Sequence, residues 1–487
     1  MIETIGVAEL ALGVIATGVR GDEVDLAAFG GYVMFARNGT DAATLARCTQ
    51  AIRARYAGQT PPLIAIDQEG GRVMRIRDGV EPLPSMMAVG SANDLELTRK
   101  LGEQIAHDLR RVGANLDFAP VLDLAIDPAS TIIGTRSFGD NPEIVARLAG
   151  ALAGGMGRGG IVPTFKHFPG HGSTAVDSHL ALPTIMVDPA ILHLRDLAPF
   201  SELLPHARAA MSAHVVVEAI DPTRPATLSP EVMRSLLRET CAFNGVLFTD
   251  DLEMGALARF GSVPERALAA IAAGADCAVI GEATNDAIAA GEEIETAIAR
   301  GTLREWRLRE AAMRLQMLRS TLSWPLALDA KAPHPGIGAV IAAKAIARAR
   351  GNPKAAANDC IVVSIDSDAD LSAPAWGKER ISIHTQENGE VERALSAIAT
   401  SGLRPIILSR RSHLDERAVA AIAGLLAGYP DSIFVSTLEP FDIVRFPQAR
   451  HILCAFGEDA LHMKACADAL FTDAPFQGHV PVHLPRA

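Results

Sequence analysis

Five segments of the chain run from a short apolar stretch into residues that ionise or donate hydrogen bonds. Asp67 follows 63–66, Arg136 lies in the loop after 115–118, and Lys166 with His167 closes 161–165. His214 follows 209–213, and Asp250 with Asp251 follows 245–249. Asp67 can accept from two adjacent hydroxyls, Lys166, Arg75 and Arg136 donate, and His167 can do either. That assortment suits a sugar ring. With cations nearby to keep it ionised, Asp250 has the character of a carboxylate nucleophile. Retaining glycoside hydrolysis also needs a proton donor for the departing oxygen. His179 is the candidate, because Asp177 lies two residues away and can hold one imidazole nitrogen while the other faces the bond. An ordinary imidazole pKa of ~6.5 suits giving and retaking a proton near neutral pH.

Structural readings stand beside these. Arg72 and Arg75 can pair with Asp67 or Glu69 as plain salt bridges, His171 can brace its glycine-flanked loop, and His214 reads as a supporting residue rather than a contact. The string Gly155-Met156-Gly157-Arg158-Gly159-Gly160 matches a dinucleotide-binding pattern, but it follows a helix and precedes a strand. That order is the reverse of what a pyrophosphate needs, so it reads as a turn.

Positioning such residues falls to eight apolar, β-rich runs: 12–16, 32–35, 63–66, 115–118, 161–165, 209–213, 245–249 and 276–280. Amphipathic stretches at 42–57, 95–112, 142–156, 230–239 and 263–272 lie between them, and 305–322 reads as a last helix. Eight βα units imply parallel strands closing into a TIM-type (β/α)8 barrel, with an open doubly wound sheet as the competitor. In such a barrel the loops after the strands' C-terminal ends build the site. The expected divisions are a barrel over 1–328, a linker over 329–358 with one short helix at 340–348, and a smaller α/β sandwich domain over 359–487. Strands in that domain are expected at 361–365, 381–384, 405–408, 433–435 and 452–455, with helices at 415–427 and 460–470.

Composition narrows the partners. The 487 residues carry 45 basic and 57 acidic side chains, a net charge of −12. Neither a nucleic-acid backbone nor an anionic membrane is expected as a partner. The six cysteines are scattered, which fits a reducing compartment rather than a disulfide framework or a zinc site. The first residues lack a basic start to an apolar stretch, and no run approaches the ~18 apolar residues of a membrane span. A cytoplasmic protein with no cofactor and no metal is expected; nothing indicates the oligomeric state.

The strings IAIDQEGGRVMRI, ANLDFAPVLDLA, IIGTRSFGDNPEIV, KHFPGHGSTAVDSHLALP, MSAHV and FTDDLEM resemble glycoside hydrolase family 3, closest to its β-N-acetylglucosaminidase branch. The resemblance covers roughly the first two-thirds of the chain in ordered blocks, and more weakly its tail. It implies a retaining mechanism with Asp250 as nucleophile and an Asp177–His179 acid/base dyad. It also implies sugar contacts from Asp67, Arg75, Arg136, Lys166 and His167. The substrate would be an amino-sugar glycoside ending in β-linked N-acetylglucosamine, from cell-wall muropeptide fragments. Two positions depart from the family pattern: Ser173 stands where many relatives have Asp, and His479 stands where Lys is usual. Family 3 β-glucosidases generally take their acid from a glutamate in the second domain, whereas the Asp177-Ser178-His179 loop points to the acetylated amino sugar. The alternatives are a β-glucosidase, an N-acetylglucosaminide phosphorylase, a metal-dependent barrel hydrolase using ligand types such as His167, His171, His179, His214 and Asp250, and a non-catalytic sugar-binding protein.

Overall fold

Short runs of Val, Ile, Leu and Ala, buried on both faces, make the strands of the first unit. In the computed structural model, which describes residues 5–19, 29–57, 59–174, 181–282, 284–366, 376–385 and 389–484, they are β1 (Ile15–Gly18), β2 (Gly31–Met34), β3 (Leu63–Ile66), β4 (Leu116–Asp117), β5 (Val162–Phe168), β6 (Ala209–Ser212), β7 (Val246–Asp251) and β8 (Cys277–Ile280). Each pairs in parallel with the next, and β8 pairs with β1, closing the barrel. Closure leaves no edge strand, and it carries all eight C-terminal ends to one rim.

The surrounding helices start where the sequence caps them. Asp94 accepts from the Glu96 and Leu97 amides ahead of Leu95–Arg111, and Asn141 does the same for Pro142–Arg158, with Pro142 at the first helical position. Ser262 and Glu265 form a reciprocal capping box on Val263–Ala273. Such caps satisfy amides that the helix itself leaves unpaired. Gly155 and Gly157, read from sequence as part of a turn, lie inside the helix Pro142–Arg158. A Cβ at Gly155 would collide with the Arg99 carbonyl and crowd Gly102. The glycines there let two helices touch backbone to backbone.

Several elements differ from the sequence expectation. The first strand begins at Ile15, not 12, because Val7–Gly13 is a helix that buries Leu10 and Ala11. Its apolar residues satisfy helical and strand spacing equally over so few positions. A helix at Thr284–Ala299 precedes the one at Glu305–Arg319; its Ala-rich sequence gives little periodic contrast. Within 329–358, read as a linker with one helix, that helix is Ile337–Ala345, and it is followed by a strand, β9 (Ala347–Arg350).

This strand is the edge of a second sheet with β10 (Cys360–Ile365), β11 (Glu379–Ile383), β12 (Arg404–Ser409), β13 (Ile433–Ser436) and β14 (His451–Cys454). The order is β9-β14-β13-β12-β10-β11, with only β9 antiparallel. Alternate residues face opposite sides: Cys360 and Val362 join one cluster with Met463, Cys466 and Leu470, while Ile361 and Val363 pack with Ala394, Ile398 and Ile422. Helices therefore cover both faces of this sheet, as a doubly wound domain requires.

The two units are joined by buried polar contacts. Glu439, between β13 and β14, accepts from the Thr135 amide at 3.0 Å and pairs with both ends of Arg411 at 2.6 Å. A Cβ at Gly134, where φ is +45°, would collide with the Glu439 carboxylate. Ser85 donates to the Phe456 carbonyl at 2.7 Å, and its amide donates to His462 Nε2 at 3.1 Å. Glu439→Ala leaves Arg411 without its carboxylate and is expected to cost about 3 kcal/mol, as does losing one partner of a buried pair. Urea denaturation followed by tryptophan fluorescence checks this, and an unchanged midpoint would show that Glu439 does not hold the units together.

Candidate active site

Burial forces the polar residues at the barrel rim to satisfy one another. Lys166, at the end of β5 with its side chain 3% exposed, reaches Asp67 Oδ1 at 2.8 Å and Glu69 Oε1 at 2.7 Å. Glu69, 1% exposed, also receives both ends of the Arg136 guanidinium at 2.7 Å. Arg75 closes the chain on the other side, donating to Asp67 Oδ2 at 3.0 Å. The result is a linear array, Arg75–Asp67–Lys166–Glu69–Arg136, in which carboxylates alternate with cations. Beneath it, Asp117 accepts from the Gln68 amide at 3.0 Å, and its Oδ2 has no partner among the described residues. Burial pushes the Asp117 carboxyl well above the usual range, against the pull of the Gln68 amide and Lys166.

His167 is oriented from behind. Its Nδ1 lies 2.6 Å from Asp123 Oδ2, and its Nε2 lies 3.4 Å from the Arg136 guanidinium. Asp123 also accepts from the His171 amide at 2.7 Å and from the His167 amide at 3.2 Å. One carboxylate thus sets both an imidazole and the path of the backbone leaving β5.

Asp250 is the last residue but one of β7 and accepts from the Asp251 amide at 2.8 Å. Burial favours its neutral form, but His167, His214, Lys166 and that amide together outweigh burial and hold the carboxyl below its ordinary range. It is an ionised carboxylate in a site whose cations are otherwise occupied. His214 is fully buried between Thr227 Oγ1 at 2.8 Å and the Asp251 carbonyl, to which Nε2 donates at 2.9 Å. It braces the turn that carries Asp250.

Asp67, Arg75, Arg136, Lys166, His167 and Asp250 line a single cavity of about 590 Å³, together with Phe35, Glu69, Arg72, His171 and Met254. Asp177 and His179, expected as the acid/base dyad, lie outside the described residues. At the base of that loop, Ser173 donates to Asp196 and accepts from Arg195 at 2.7 Å, while Arg195 pairs with Asp196 at 2.9 Å. A carboxylate at 173 would face Asp196 directly, which accounts for a hydroxyl there in this chain. Of the two arginines expected to pair with Asp67 or Glu69, only Arg75 does so. Arg72 instead donates to the carbonyls of Ile132 and Ile133, because Glu69 is taken by Arg136 and Lys166.

Sequence reasoning gave no role to Asp123 and treated Glu69 only as a salt-bridge partner. Both follow strand ends, the position that singled out the other residues, so the signal was present.

Residues 12–318 match the glycosyl hydrolase family 3 N-terminal domain. The chain belongs to that family, and is a glycoside hydrolase. It is 42% identical over 259 residues to a beta-hexosaminidase of Thioalkalivibrio sulfidiphilus, a match covering 52% of this chain and 73% of that one. A beta-hexosaminidase of Pseudomonas aeruginosa is 40% identical over 252 residues, covering 52% and 74%. The fold is similar over 99% of this chain and 100% of the other to a family 3 beta-N-acetylglucosaminidase from Paenibacillus, with a TM-score of 0.89 and 29% identity.

One neighbour of Asp250 gives a pH signature. Burial, with Glu253 and Asp250 adding to it, pushes the Asp251 carboxyl up to about 7. A carboxyl raised in the folded state contributes stability that is fully present below the unfolded value of ~4 and is lost as pH rises through about 7. Asp251→Asn removes this group's titration, so the fall in urea midpoint between about pH 5 and about pH 8 is expected to shrink. An equal fall in wild type and variant would overturn the assignment.

Proposed function

We propose that the chain is a retaining β-N-acetylglucosaminidase that releases a terminal β-linked N-acetylglucosamine from cell-wall muropeptide fragments in the cytoplasm. The observation that carries this is Asp250, ionised at the end of β7 and facing the same cavity as Asp67, Arg75, Arg136, Lys166 and His167. Family membership supports the reaction class, and the relatives named beta-hexosaminidase support the sugar.

Hydrolysis on this reading has two steps. Asp250 attacks the anomeric carbon while His179, held by Asp177, gives its proton to the departing oxygen. The glycosyl ester is then opened by water, whose proton returns to His179. Asp67 accepts from the sugar's hydroxyls, Arg75, Arg136 and Lys166 donate, and His167 presents Nε2. The five-residue array holds three cations against two carboxylates, and the attraction of His167, His214 and Lys166 keeps Asp250 a carboxylate until it reacts.

A mechanism-based fluorinated glycoside is expected to label Asp250, read by peptide mass spectrometry, and labelling that survives Asp250→Asn would overturn the nucleophile. His179→Ala is expected to lower turnover of a poor leaving group by ~10²–10⁴-fold, and to lower turnover of an activated aryl glycoside much less. Equal losses on both would remove His179 as the acid. A panel of aryl glucoside, xyloside and N-acetylglucosaminide on wild type tests the sugar, and a preference for the glucoside would overturn it.

A further inference from the structure

A second, smaller cavity of about 170 Å³ lies between the two units, lined by Arg72, Arg77, Ser85, Arg410, Arg411 and the 456–459 segment. Arg72 lines both this cleft and the main cavity, so the two adjoin at this residue. The charges facing the cleft do not balance. Arg411 is held by both oxygens of Glu439, and Arg410 lies 3.4 Å from Glu458. Asp459 accepts from His462 Nδ1 at 2.9 Å. His462 Nε2 accepts from the Ser85 amide. Arg72 and Arg77 have no carboxylate within ion-pair distance among the described residues; Arg72 donates to the Ile132 and Ile133 carbonyls, and Arg77 reaches the Arg72 carbonyl at 3.5 Å.

Arg72 is the more constrained of the two. Partial desolvation by the surrounding chain, with the charges of Arg411 and Arg136 adding to it, lowers its guanidinium to about 10, against the pull of Glu439 and Glu69. An accessible guanidinium whose partners are carbonyls keeps donors that an anion can take up.

Resting on the function proposed above, we infer that this cleft is a subsite for a carboxylate carried by the leaving group, held by Arg72 and Arg77 from the barrel beneath the second domain's Arg410–Arg411 edge. A planar fork suits a carboxylate. The second unit then takes part in substrate choice. It supplies the wall that closes the cleft, and Arg411 keeps Arg72 short of negative charge. Neutral leaving groups would reach the same Asp250 without this contact.

The test compares kcat/KM for 4-carboxyphenyl and 4-carbamoylphenyl N-acetyl-β-glucosaminides on the full-length wild type, Arg77→Gln and Arg72→Gln. The carboxylate-to-amide ratio is expected to fall about tenfold in each variant, as a charge-assisted hydrogen bond implies, and to fall in wild type as salt is added. Taking the ratio cancels leaving-group chemistry. A purely structural role for the arginines would lower both substrates alike, and an unchanged ratio overturns the subsite. If neither glycoside turns over, the functional reading fails separately. Calorimetric titration of the two glycosides then still reads the cleft, and equal affinities in wild type and Arg77→Gln overturn it. Activation by inorganic phosphate that is lost in Arg72→Gln, with no carboxylate preference, would show that a free oxyanion occupies the cleft and would also overturn the proposal.

Discussion

Lys166 is the charge on which the rest of the site depends. An ammonium taken almost wholly out of water carries a desolvation penalty of several kcal/mol unless carboxylates meet it. Asp67 and Glu69, both on the segment that leaves β3, are placed to do so. Their second oxygens draw in Arg75 and Arg136, and Arg136 in turn meets His167. One buried cation thus sets a chain of contacts that ties the ends of β3, β4 and β5 together. Asp250 has no arginine or lysine at hydrogen-bond distance among the described residues, and it accepts from the Asp251 amide. Its ionised state comes instead from the summed field of His167, His214 and Lys166, and such a charge is available for chemistry.

Barrel closure makes the array possible, and the second unit limits what can reach it. β3 and β5 are separated in sequence by about a hundred residues, and only the parallel ring places their ends within one hydrogen bond. Glu439 enters at Gly134, a position that tolerates no side chain, and grips both the Thr135 amide and Arg411. That grip fixes the rim loop carrying Arg136 and sets the width of the cleft over Arg72. Substrate binding and domain docking therefore share a loop, and a change at either end is felt at the other.

Much of this is legible along the chain. Polar residues directly after apolar runs identify Asp67, Lys166, His167 and Asp250, since a strand's last residue must face the rim of a parallel barrel. Caps written as Asp94, Asn141 and Ser262 mark helix starts for the same local reason. Less legible are elements whose residues satisfy two periods at once. The expected strand 12–16 takes in the last two residues of the helix Val7–Gly13, and Thr284–Ala299 is too uniformly small to show a stripe. The strand Ala347–Arg350 exposes three of its four residues, so no apolar run announces it; its edge position and its pairing with β14 make it a strand.

Residue type and its place after a strand determine which groups can ionise, donate or attack, because those properties are local to a side chain and its neighbours in sequence. Partnership is a property of the fold. Nothing near Arg72 in the chain says that Glu69 would go to Arg136 and Lys166, or that Arg411, more than three hundred residues on, would press against it. Electrostatic fields act through space and add over every nearby charge, so the protonation of Asp250 and Asp251 and the unmet charge at the domain cleft exist only once the barrel has closed and the second sheet has docked.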